Sequence, residues 1–148
     1  MTDRGASGAE PSKGIWTPLV AAWLVALAAT LGALFIGEVM GQTPCILCWY
    51  QRIFMFPLAV LLGIAAFRED AAAWLYSGAL ALFGLAIAIY HSLLYFGFVT
   101  EGLQPCSKGV SCSGAAMTLW GFPLPILSTL SFAAIIVLLA IVRKRSAP

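Results

Sequence analysis

Charge is what this sequence has least of. Charged side chains make up only 9% of its 148 residues, while 61% are hydrophobic; soluble domains carry about 25% charged residues. That shortage excludes an ordinary water-soluble domain, which would lack the polar surface to cover its core, and leaves the bilayer as the expected solvent. A net charge of +2, on scattered basic residues, is too small a cationic surface for nucleic acid. No basic cluster precedes the first apolar run, and that run is longer than a signal-peptide core, so it is expected to stay in the mature chain. Internal repeats, low-complexity stretches and long linkers are missing as well. A single membrane domain over residues 1–148 is expected.

What is present is long uncharged sequence. Three such runs, Ile15 to Gly37, Ala71 to Thr100 and Gly109 to Val142, each exceed the roughly 20 residues that a helix needs to cross the hydrocarbon. A fourth, Ile53 to Phe67, has only 15 residues; at about 1.5 Å each these do not reach across. Either this run is a re-entrant piece, leaving three spans and chain ends on opposite sides, or its helix begins earlier, near Cys48, with Arg52 inside its first turns. The second reading is adopted, because lipid-exposed broken backbone is costly whereas an arginine can reach outward to the interface. Pro57 would then kink this helix or leave one carbonyl to a neighbour.

The fold class that follows is all-α: an integral membrane four-helix bundle with spans at about 16–38, 48–67, 72–96 and 123–142. Arg4, Lys13, Arg68, Arg143, Lys144 and Arg145 then lie on one side and only Arg52 and Lys108 on the other. The excess of basic residues in cytoplasmic segments predicts that both termini are cytoplasmic.

This topology puts all four cysteines on the outer side, where disulfides form and persist. Cys45 and Cys48 stand in the first outer loop as a C-x-x-C, a spacing that suits a small, exchangeable disulfide. A helix N-terminus there favours a thiolate, and Pro44 fits a helix start. The spacing also occurs in metal sites. A four-cysteine zinc site is set aside, because the pairs are separated by two spans and no additional His, Asp or Glu groups with them; no metal is expected. Cys106 and Cys112 flank a loop of serine, glycine and Lys108, read either as a staple or as a redox pair that a soluble protein can reach. The C-x-x-C on the same side favours redox chemistry.

Two ionisable residues lie near these thiols. Arg52 follows Cys48 by four residues, one helical turn deeper on the same face. There it would stabilise a thiolate and offer donors to a carbonyl or anionic oxygen, or else simply anchor the helix end. His91, the only histidine, falls in the outer half of the third span, where an ionisable residue is a functional candidate or a polar group held by a neighbouring helix. Both are candidate cofactor-binding residues. Glu38 reads as a boundary residue. Trp16, Trp49, Tyr50, Trp74, Tyr76, Tyr95 and Trp120 suit an interfacial aromatic belt, and residues 115–122 an interfacial segment.

Pro44-Cys45-Ile46-Leu47-Cys48-Trp49-Tyr50-Gln51-Arg52 resembles the signature of the disulfide bond formation protein B (DsbB) family of bacterial inner membranes. Four spans, a cysteine pair before the fourth and Tyr90-His91 in the third extend the resemblance over almost the whole chain. Only five residues separate Cys106 from Cys112, which is similar to the BdbC-like branch and not to members with a longer loop. The resemblance implies redox-active disulfides Cys45–Cys48 and Cys106–Cys112. It implies a thioredoxin-like, DsbA-type partner that attacks Cys106, exchange from Cys112 to Cys45, and Cys48 facing a quinone (ubiquinone or menaquinone) beside Arg52. A dithiol enzyme that regenerates a strong oxidant needs an acceptor above the thiol pool, and a quinone in the lipid is one. The vitamin K epoxide reductase type differs in placing its C-x-x-C late in the chain. A membrane protein merely stapled by two disulfides would hold both bonds without exchange.

Overall fold

The computed structural model describes residues 13–99, 112 and 118–147. Four helices account for most of them: α1 Lys13–Leu34, continued by a π-helical segment Phe35–Val39, α2 Ile46–Arg68, α3 Ala73–Tyr95 and α4 Leu124–Ser146. All four are long and apolar enough to cross a membrane. The sequence places the start of α2 near Cys48, but the helix begins at Ile46. The reason is local: Cys45 has extended backbone geometry, and its Sγ accepts the Cys48 N–H at 3.3 Å, capping one of the N–H groups left open at the first turn. The earlier start supplies the length that the uncharged run lacks, and α2 continues through Pro57.

The helices pack in a ring in which α1 meets α2 and α4, and α3 meets α2 and α4. The core is built from Leu19, Ala22 and Ala26 of α1, Leu58 and Leu62 of α2, Ala81 and Ala88 of α3, and Phe132, Ile135 and Leu139 of α4. Small residues on α3 let its neighbours approach closely, as in other membrane bundles. Gly84 is the tightest case, because a Cβ there would run into the Phe132 ring. The outward faces are also apolar, with Val60, Phe67, Leu75, Phe83 and Val137 exposed. Lipid is the solvent that such a surface fits.

One end of the ring is basic. Arg145 donates to the Gly14 carbonyl at 2.8 Å, and the Arg143 guanidinium lies 4.7 Å over the Trp74 ring. The α2–α3 turn is at this end, held by Asp70, which accepts from the Ala72 N–H at 2.9 Å and the Tyr76 hydroxyl at 2.8 Å. The opposite end carries the start of α2 and a two-stranded hairpin, β1 Thr118–Leu119 with β2 Phe122–Pro123. Trp120 and Gly121 turn it with φ of 48° and 86°, the primed geometry suited to two-residue hairpins. Trp120 is 93% exposed at the tip. The described part of the expected interfacial segment is therefore a hairpin, and residues 115–117 lie outside the described residues.

Candidate functional site

The first turn of α2 brings Cys45 and Cys48 together as a dithiol with sulfurs 3.0 Å apart. The two face different surroundings. Cys45 is buried, 2% exposed, in a cluster with Leu47, Leu94 and Cys112, while Cys48 is half-buried. The hydrogen bond with Cys48, with a further contribution from His91, lowers the Cys45 thiol to about 4 against the burial that raises it. Such a thiolate is both a stable product of reduction and a good leaving group.

His91 on α3 reaches over this sulfur. Its Nε2 lies 3.8 Å from Cys45 Sγ and 3.2 Å from the Cys112 carbonyl oxygen. Its Nδ1 lies 3.0 Å from Gln51 Nε2, and Ser128 on α4 donates to Gln51 Oε1 at 2.7 Å. His91 and Gln51 are buried, and each is satisfied within the chain, as polar groups at this depth must be. The sequence singles out His91 but assigns no role to Gln51 or Ser128. Gln51 had a signal, an amide on the same helical face as buried Leu47 and Met55. Ser128 had only its polarity within an apolar run.

Cys45, Cys48 and His91 offer three ligand atoms within 4.8 Å of one another. The Cys112 carbonyl can only accept, however, so the hydrogen bond gives Nε2 a proton and leaves no lone pair there for an ion. A cation would have to displace that proton and reverse the Gln51 amide.

A cavity of ≈ 400 Å³ opens on the other side of the dithiol, between α1, α2 and α4. Ala29, Gly32, Ile36, Met55 and Leu127 give it apolar walls, and Cys48, Arg52, Gln51 and Ser128 supply its polar groups. Arg52 is half-buried, donates to the Ala33 carbonyl at 2.8 Å and lies 5.4 Å from the Trp49 ring. Gly37, in the π segment, leaves room for it, because a Cβ there would come within 3.2 Å of the guanidinium. π-helical turns are often found at functional sites. The structure thus brings Cys48 and Arg52 to one cavity, and places Cys45, His91 and Cys112 together behind it. His91 does not line the cavity. Cys112 is disulfide-bonded; Cys106 lies outside the described residues, as does Lys108.

The sequence has counterparts among known proteins. The family described as disulfide bond formation protein DsbB matches residues 16–142. A probable disulfide formation protein of Metapseudomonas resinovorans is 53% identical over 94% of this chain and 98% of its own length. Another from Deinococcus radiodurans is 44% identical over 87% of this chain and 90% of its own. Disulfide bond formation protein C of Bacillus subtilis is 40% identical over 84% of this chain and 91% of its own. No solved structure matches the chain.

Proposed function

This chain belongs to the disulfide bond formation protein DsbB family, and from that premise we propose that it reoxidises a thioredoxin-like, DsbA-type dithiol oxidase and delivers the electrons to a membrane quinone. Its setting is the bacterial inner membrane, which it crosses several times as one membrane domain, with both termini cytoplasmic and the cysteine pairs on the periplasmic or outer side. The concentration of basic residues at the end opposite Cys45 and Cys48 supports that orientation.

The observation that carries the reading is the division of one dithiol between two surroundings, Cys48 on the cavity and Cys45 in the cluster with Cys112. The cavity fits a quinone head group in size, in its apolar walls and in having donors for carbonyl oxygens. Arg52 would hold and orient the head group, with the remaining amide N–H of Gln51 as a further donor. When bound, a quinone supplies a two-electron, two-proton acceptor of higher potential than a thiol pool.

The thiol steps then run in series. A partner thiolate attacks Cys106, the Cys106–Cys112 bond breaks, and Cys112 leaves as a thiolate. The second partner thiolate resolves the mixed disulfide, which frees Cys106 and leaves the partner oxidised. Cys112 attacks Cys45, forming a Cys45–Cys112 bond, and Cys48 leaves with the electron pair of the broken Cys45–Cys48 bond. Cys106 then attacks Cys112, the Cys106–Cys112 bond re-forms, and Cys45 leaves as a thiolate. Two electrons have moved from the partner to the pair beside the cavity. Thiol trapping under graded reductant tests this against a stapled membrane protein: exchangeable pairs open in mild reductant, whereas staples resist it throughout.

A further inference from the structure

We propose that Ser128 and Gln51 are positioning residues that hold His91 for the exchange of electrons between the two cysteine pairs, and that His91 acts as a catalytic residue in that exchange and not at the cavity. The inference rests on the proposed serial exchange and adds three residues to it.

The geometry fixes the direction of the hydrogen bonds from one end. The Cys112 carbonyl has no proton to give, so the 3.2 Å contact makes His91 Nε2 the donor. In the neutral ring Nδ1 then carries the lone pair and accepts from the Gln51 amide N–H, 3.0 Å away. That turns Gln51 Oε1 toward Ser128, whose hydroxyl donates to it at 2.7 Å. Reversed, the same chain of hydrogen bonds would set the Nε2 lone pair against the Cys112 carbonyl oxygen. Without Ser128 and Gln51 the other tautomer becomes accessible, and it would turn a lone pair toward both the carbonyl and Cys45.

The Nε2–H tautomer suits one chemical event. When Cys106 attacks Cys112 and the Cys45–Cys112 bond breaks, its electron pair departs on Cys45 Sγ. The His91 N–H lies 3.8 Å from that sulfur and can donate to it as charge develops. The same N–H ties the peptide of Cys112 to the site, so one ring touches both partners of the exchange. Losing a hydrogen bond to a charged group slows a step that depends on it by about tenfold or more.

The test uses the whole protein in detergent, without quinone. Reduced partner is added, the reaction is acid-quenched, and thiol trapping follows the appearance of Cys45 and Cys48 thiols separately from partner oxidation. Wild type should pass electrons to the first pair. Ser128→Ala, Gln51→Leu and His91→Leu should slow that passage by about tenfold with the partner step unchanged, and Ser128→Thr should restore it. Nitrogen NMR of the imidazole should report the Nε2–H tautomer in wild type and its loss in Gln51→Leu, a signature that loss of packing alone does not produce. Equilibrium quinone binding to His91→Leu should match wild type. Unchanged exchange in Ser128→Ala and Gln51→Leu, or quinone affinity falling in His91→Leu while exchange persists, overturns the inference. A wild type that passes no electrons between the pairs overturns the serial reading itself.

Discussion

Arg52 on α2 donates its guanidinium N–H to the backbone carbonyl of Ala33 on α1 at 2.8 Å, which ties the two helices together at the wall of the cavity. The bond helps hold a charge whose insertion into hydrocarbon costs about 2.5 kcal/mol or more at mid-bilayer and less near the edge. It leaves other donors of the same planar fork for an oxygen in the cavity. Arg52→Lys keeps the charge and loses the fork; Arg52→Gln loses both. Each should raise the KM for quinone, Gln more than Lys and by about tenfold or more, while the mixed disulfide between partner and Cys106 forms at a near-normal rate. Steady-state kinetics against quinone concentration, beside stopped-flow of the partner step, check this.

Cys106→Ser should stop attack by the partner and leave the first pair working. Cys45–Cys48 should still be reduced by a small thiol and reoxidised by quinone, because Cys48 reaches the cavity without the second pair. Quinone reduction driven by dithiothreitol measures it. A loss equal to that seen with the partner would mean that the pairs do not act in series.

The pH dependence of Cys45 follows from its lowered pKa of about 4. An ordinary cysteine thiol ionises near about 8.5, so between these values the folded, reduced protein holds a thiolate where the unfolded chain holds a thiol. The unfolded state binds the extra proton, so stability of the reduced form rises with pH across this window and falls as pH drops toward about 4. Ultraviolet thiolate absorbance of the reduced protein, less that of Cys45→Ser, should persist well below pH 7 and vanish only on approach to that value.

A reporter fused after Pro148 should be active in the cytoplasm. Arg143, Lys144 and Arg145 fill the last turn of α4, at the end of the ring away from Cys45. Activity on the outer side would overturn the proposed orientation.

The helices were legible because uncharged runs have a direct physical meaning in a bilayer. The start of α2 was less so, since Cys45 extends the helix as a cap through its sulfur and cysteine is not among the residues that usually cap. The π segment Phe35–Val39 has no local signature, and its Gly37 is explained only by Arg52 arriving from another helix. Cys48 and Arg52 were readable as neighbours from their spacing. His91 was readable only as a polar group in an apolar span; that it meets Cys45 and Cys112, and that Gln51 and Ser128 orient it, depends on contacts among three helices and a loop. Spacing within one helix carries no such information.

The most direct test is coupled turnover by the purified protein with ubiquinone or menaquinone and a reduced C-x-x-C partner. One quinone should be reduced for each partner disulfide formed, with the coupling lost in Cys48→Ser and in Cys106→Ser. If the partner is oxidised without quinone reduction, or neither reacts while both cysteine pairs stay closed, electrons do not pass through this chain to the cavity at Cys48 and the account is contradicted.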